Sequence, residues 1–412
     1  MFFHVDQYAY YNYIYDNSEN TVLCNSKLVE FKDRLCISKH IETFLRNGTR
    51  QNFIEGIELL KNAHSYTFEN HNKNEKLELE MPLENISMSN FNASILREEL
   101  FNIIANHYKD KDIDLVISGG VDSSLLLAVL ADADWLHKVR VWTTKTPAGN
   151  DYYFAKKSAD SVGIKLNTIE VNYESEFDFD ILKESSNLNF GPANIGVVPL
   201  SFIGKAVKFN GGSCLMHGMA GETISINIYK SLEENYLQVL FRDSKYLKLL
   251  KQIFNLRKIK QKEVFSILKK YKNIKNINLD YLHMYNLCCG SVKHDTNRVR
   301  NNIEVSGISS FTPYFNKLLE KYMMLELEGR FHQKIPKIIS RLAMDKIISD
   351  EVVWRKDDQG LRWDPKKYIN FHKSKTDAII NKYLNIDSQR LEVNAKYIRN
   401  LEVASLYALI KD

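Results

Sequence analysis

Ile113-Asp114-Leu115-Val116-Ile117-Ser118-Gly119-Gly120-Val121-Asp122-Ser123-Ser124-Leu125 is the stretch whose reading decides the fold. The mostly apolar run 113–117 has the make-up of a buried strand, and the apolar run Leu125 to Leu130 continues as a helix. Between them the adjacent glycines let the backbone curl, so that several N–H groups point into one concavity and the helix beginning near Asp122 adds the positive end of its dipole. Such a turn makes a pocket for phosphate or pyrophosphate. Gly119 and Gly120 offer backbone donors, Ser118, Ser123 and Ser124 add hydroxyls, and Asp122 is an oxygen ligand suited to the Mg²⁺ that accompanies nucleotide phosphates. The loop lacks both the Gly-Lys-Ser/Thr ending of a Walker loop and the dinucleotide fingerprint. The alternative is a tight turn whose glycines serve only packing; seven residues in this order after a strand favour the nucleotide.

Outward from this loop, the apolar positions Ile95, Leu96, Leu100, Ile103 and Ile104 predict a helix over 92–108 with one face on a sheet. Val139 to Thr144 reads as a second strand, Asp151 to Val162 as a helix closed by Gly163, and Leu166 to Val171 as a third strand. Strands alternating with helices imply an α/β fold built on a parallel, doubly wound sheet. Such sheets bind ligands at the carboxyl ends of their strands, which is where Ser118 and the Thr143-Thr144 region would lie. Pro199 begins a further helix, and Ser213 to Met216 is a short buried strand running into a second glycine-rich loop, His217-Gly218-Met219-Ala220-Gly221-Glu222-Thr223. Before all this, from Tyr8 to about Pro82, short aromatic-rich strands carry Tyr10, Tyr11, Tyr13 and Tyr15, with a helical patch around Ile41 to Leu45. We expect a small β-rich domain over 1–88 and the nucleotide domain, with a helical C-terminal extension, over 89–412.

From about Ile41 to Trp363 the chain resembles the branch of the PP-loop ATP pyrophosphatases that contains asparagine synthetases, β-lactam synthetases and lasso-peptide cyclases. The resemblance is carried by loop 118–124, by the spacing of Asp151, Ala155, Ala159 and Gly163, by loop 217–223, and by the turn Phe311-Thr312-Pro313-Tyr314-Phe315-Asn316. It extends to Lys337 and Arg341, which match a lysine and an arginine on the family's next helix, and to Trp354-Arg355-Lys356-Asp357, which is similar to the loop bearing a catalytic lysine. It implies ATP and Mg²⁺ as cofactors, cleavage to AMP and pyrophosphate, and Lys356 as the cation that neutralises the tetrahedral intermediate. Aligned on Gly218, Glu222 takes the place of the aspartate that shares Mg²⁺ with Asp122, so Glu222 is both a catalytic and a metal candidate beside Asp122. Alternatively Gly218 and Gly221 are turn formers, Glu222 a solvated charge, and Lys356 a surface lysine beside Arg355.

The sequence departs from the family in three places. Met219 stands where asparagine synthetases have a glutamate and β-lactam synthetases a tyrosine, and a thioether cannot take protons. Lys356 directly follows Arg355, where the family sets one residue between arginine and lysine. Residues 1–88 resemble only the last part of a glutaminase domain: the second position is Phe2 and the first cysteine is Cys24, so the N-terminal nucleophile is missing and no glutamine hydrolysis is expected.

A chain of 412 residues with 44% hydrophobic content can bury substantial cores. The net charge of +5 is a small excess over a large acidic count, so nucleic-acid binding is not demanded. The basic stretch Lys230 to Lys275 reads as a solvated helix face, or else as a surface for an acidic peptide or carrier. Five cysteines without metal-ligand spacing, with Cys288-Cys289 vicinal, fit a reducing cytoplasm, and no run approaches the roughly 18 apolar residues needed to span a bilayer. Together these features lead to an amide-bond-forming ligase acting on a small-molecule or peptide carboxylate, of the β-lactam synthetase or lasso-cyclase kind. The alternatives are an ammonia-dependent asparagine synthetase-like enzyme, a degenerate nucleotide-binding partner protein, and a tRNA-modifying PP-loop enzyme.

Overall fold

The computed structural model describes residues 2–11, 13–24, 26–34, 41–42, 45, 54–55, 57–69, 72–80, 87–109, 111–224, 284, 287–288, 291–323, 331–332, 335–355, 363–389 and 391–411. The chain opens with six short strands: β1 (Phe2–Val5), β2 (Tyr13–Asp16), β3 (Thr21–Cys24), β4 (Ile57–Leu60), β5 (His64–Glu69) and β6 (Asn72–Leu77). They pair antiparallel in two three-stranded sheets, β1-β5-β6 and β3-β2-β4. Val5, Tyr15, Leu60, Tyr66 and Phe68 fill the space between them, with the Tyr15 and Phe68 rings stacked at 3.8 Å. The aromatic content of this segment is thus spent on a core too small to be built from aliphatic residues alone.

The run before the glycine loop forms β7 (Ile113–Val116), and four more strands join it: β8 (Val139–Lys145), β9 (Leu166–Glu170), β10 (Cys214–Met216) and β11 (Ser309–Phe311). All pairings are parallel, in the order β11-β10-β7-β8-β9. The chain builds outward from β7 through β8 to β9, then crosses back to add β10 and β11 on the other side. That reversal makes the gap between β7 and β10 the topological switch point, where an open parallel sheet splays its loops apart and leaves a crevice.

Both faces of the sheet are covered. The helices concerned are α1 (Ala93–Tyr108), α2 (Val121–Asp132), α3 (Asp151–Ser161), α4 (Phe179–Asn189), α5 (Val197–Phe209), α6 (Ser291–Glu304) and α7 (Ile338–Met344). Strand alternation sorts the side chains: Ile113, Leu115, Val141 and Met216 pack with α1, α2, α3 and α7, whereas Trp142 and Leu215 pack with Ile203 and Val207 of α5 and Ile303 of α6. Helix α2 has no polar stripe between Leu125 and Leu130 because every one of those residues is buried. At roughly 1.5–3 kcal/mol for each large apolar side chain, this helix is a major anchor of the glycine loop that precedes it.

Boundaries fall close to the sequence expectation, with one instructive shift. Helix α5 starts at Val197, two residues ahead of Pro199, which sits in the first turn where its missing N–H has no carbonyl to lose. The tail is helical as expected, with α8 (Pro365–Phe371), α9 (Lys373–Leu384) and α10 (Ala395–Lys411). The basic stretch 230–275 lies outside the described residues, as do Lys356 to Gly360. Among the described residues no helix is long and apolar enough to cross a membrane.

Candidate nucleotide site

The first loop follows β7 at the switch point. Gly119 has φ +68°, and a Cβ there would lie 2.5 Å from the Ala155 nitrogen of α3, so a side chain is excluded twice over, by conformation and by space. Gly120 is the N-cap of α2. Ser123 closes the loop on itself: its Oγ accepts from the Ser118 N–H at 3.2 Å and donates to the Gly120 carbonyl at 3.2 Å. The loop is therefore held in shape before any ligand arrives. Ser124 sits one step deeper, fully buried, with its hydroxyl 3.0 Å from Ser158 in the seam between α2 and α3. Thr143 and Thr144 lie at the carboxyl end of β8, buried, and neither hydroxyl has a hydrogen-bond partner among the described residues.

The second loop follows β10 directly across the gap and touches the first. A Cβ at Gly218 would come within 2.7 Å of the Ser123 nitrogen, and one at Gly221 within 2.3 Å of the Asp122 carboxyl carbon. Both glycines of the second loop thus stand where it packs directly against Asp122 and Ser123 of the first. Glu222 follows Gly221 in a short 3₁₀ turn, Gly221–Thr223, which brings its backbone to the same place; its side chain lies outside the described set. The turn after β11 braces both loops, since Thr312 Oγ1 donates to the Met219 carbonyl at 2.6 Å and Tyr314 Oη donates to the Asp122 carbonyl at 2.7 Å.

The Asp122 carboxylate is split between two fates. Oδ2 receives the Lys337 ammonium at 2.5 Å, while Oδ1 is buried with no hydrogen-bond partner among the described residues. An anionic oxygen left bare in this way is costly unless a cation joins it, and it is the donor type a Mg²⁺ takes. Among the described residues no group of three or more His, Cys, Asp and Glu side chains comes together, so the fit to the Mg²⁺ that the sequence implies rests on Asp122 alone. Lys337 itself sits at the start of α7 with φ +63°. Its role could not be read from the sequence, because nothing local to it says that it points back across the whole domain.

Two arginines frame the loop from below. Arg341 is almost fully buried, donating to the carbonyls of Pro336 at 2.8 Å and Arg355 at 3.2 Å, and also to that of Val353. Burial pulls its pKa down to about 10, against the opposing pull of the Asp122 charge. Arg355 lies flat on the Phe154 ring at 3.8 Å and donates from Nη1 to the Gly119 carbonyl at 3.0 Å. The segment bearing Lys356 thus leaves Arg355 right beside the first loop, although Lys356 is outside the described residues. His217, which opens the second loop, is buried and its pKa is pushed down to about 3 by that burial, so it is neutral at ordinary pH.

A strand-glycine-helix turn and a second glycine loop thus meet on one half-buried carboxylate. Comparison with curated proteins finds no match. Residues 96–221, from within α1 to Gly221 of the second loop, match the family model for asparagine synthase, a match that supports an ATP-using, amide-forming ligase.

Proposed function

We propose that the chain is an ATP-dependent, AMP- and pyrophosphate-forming ligase that adenylates a substrate carboxylate and passes it to an amine, in the manner of β-lactam synthetases and lasso-peptide cyclases. The observation that carries the reading is the meeting of the two glycine loops on Asp122, whose Oδ1 is left bare. A carboxylate is a poor electrophile, so joining it to an amine near neutral pH needs activation. Its oxygen attacks the α-phosphorus of ATP, the bond to the bridging oxygen breaks, and pyrophosphate leaves; the amine nitrogen then attacks the acyl carbon, AMP departs and the amine loses a proton.

In this reading the N–H groups of Gly119 and Gly120 with Ser118 and Ser123 hold the departing pyrophosphate, and Thr143 and Thr144 face the nucleoside. Lys337 neutralises phosphate charge, and Lys356 the charge on the tetrahedral intermediate. A Mg²⁺ would be held by Asp122 with Glu222, and when bound it screens the triphosphate. Met219 cannot act as a base, and both ring nitrogens of His217 are engaged, by the Met219 N–H and by the Tyr10 hydroxyl. A thioether at 219, where asparagine synthetases have a glutamate, favours an amine carried by a substrate over the ammonia of asparagine formation.

A pyrophosphate-release assay with candidate carboxylates, run beside Asp122→Ala, tests the proposal. Release that needs Asp122 supports it; ADP as the sole product, or release undiminished in Asp122→Ala, overturns it. ATP binding with no pyrophosphate from any substrate would support a nucleotide-binding partner protein instead.

A further inference from the structure

We propose that Tyr10, carried by the N-terminal strands, is a positioning residue of the nucleotide site: through His217 it fixes the second glycine loop against the first. The inference rests on the nucleotide reading above. Its basis is a directional chain of hydrogen bonds. The Met219 N–H can only donate, and it donates to His217 Nδ1 at 3.2 Å, so the proton of the neutral ring is on Nε2. Nε2–H therefore donates to Tyr10 Oη at 3.3 Å, which leaves the Tyr10 hydroxyl to donate to Ser310 Oγ at 2.9 Å. Ser310 donates in turn to Glu304 Oε1 at 3.5 Å, and Glu304 stands 3.7 Å from the Arg300 guanidinium. Each member has one orientation open to it, and the chain ends on a charge.

Tyr10 is itself held in place. The carbonyls on either side of it are gripped by cations, Ala9 and Tyr10 by Lys293 and Tyr10 again by Arg300. Asn62 Nδ2 donates to Gln7 at 3.1 Å and Ala9 at 2.9 Å, and Gln7 Nε2 donates to Glu320 at 2.8 Å. Segment 7–10 is thus strapped to the face of the nucleotide domain, and among the described residues its side-chain hydrogen bond to the second loop is Tyr10 to His217. At the loop's far end Gly221 abuts Asp122, so freedom gained at His217 is felt where the two loops must register. The depressed pKa of His217 keeps this hydrogen-bond direction intact throughout the neutral range.

Tyr10→Phe removes one oxygen and keeps the ring. Hydrogen exchange of the segment 214–224 should accelerate about tenfold, the factor expected for one lost hydrogen bond in a local opening, and calorimetric titration with ATP and MgCl₂ should show a Kd higher by about as much, while the unfolding midpoint stays near that of the parent. Ser310→Ala should act in the same direction. His217→Asn, which can still accept from Met219 but cannot reach Tyr10, should make Tyr10→Phe silent on exchange. Unchanged exchange in Tyr10→Phe, or an equal effect in the His217→Asn background, overturns the inference. If exchange accelerates as expected but the parent binds no ATP, the positioning role stands and the nucleotide reading falls.

Discussion

The Lys337 ammonium lies 2.5 Å from Asp122 Oδ2, tying the start of α7 to the first glycine loop across 215 residues of chain. The pair is mostly shielded from water, so each member depends on the other. Asp122→Asn should cost about 2 kcal/mol of stability, because Lys337 loses its counter-charge, and should abolish pyrophosphate release. Adding Lys337→Met should restore most of the stability and none of the activity. Chemical denaturation of the two single variants and the double variant, read as a thermodynamic cycle, checks this.

Glycine loops make a sharper prediction. Gly119→Ala meets backbone of α3 at 2.5 Å and sits at positive φ, so it should lower stability by about 2–3 kcal/mol. Gly221→Ala meets the end of a side chain, the Asp122 carboxylate, which can swing aside. It should spare most of the stability and raise the ATP requirement at least tenfold. Equal losses of stability in the two variants would contradict the placement of the second loop.

Acid sensitivity follows from His217. Its folded pKa is depressed to about 3, while the unfolded chain titrates near 6.5, so the unfolded state gains protons first as pH falls. Stability from this residue is complete above about pH 6.5 and is lost progressively between there and pH 3. His217→Asn should flatten the decline of stability between pH 6.5 and 4 by up to a few kcal/mol in urea titrations. An unaltered pH slope would mean that the ring is not held neutral.

Arg355 grips the Gly119 carbonyl and covers the Phe154 ring, two contacts that need a flat guanidinium. Arg355→Lys should therefore behave as a loss, weakening ATP binding by about 1–2 kcal/mol with a smaller change in the unfolding midpoint. A lysine that binds ATP normally would show that charge alone suffices there.

What the sequence disclosed was everything local. The strand at 113–116, the turn and α2 are specified by a contiguous run of apolar residues, two glycines and a helix start, and the order of β7, β8 and β9 follows from alternation with α2 and α3. The second loop was also legible, as glycines after a short apolar strand. Hidden were the partners. The resemblance singled out Lys337 and the turn bearing Tyr314 but not their target, and nothing around Tyr10 announces one, because a side chain's aim depends on how distant elements cross. Ser124 shows the converse: its place in the motif suggests a phosphate donor, yet the pitch of α2 turns its hydroxyl toward Ser158.

The crossing of the chain from β9 back to β10 also sets an order of assembly. By the time residue 224 has left the ribosome both glycine loops exist, with the Asp122 carboxylate between them, but its balancing ammonium is encoded far downstream. An unfinished chain would carry that carboxylate without its counter-charge at the start of α2. Only a molecule completed past α7 holds the ion pair that joins the first glycine loop to that helix.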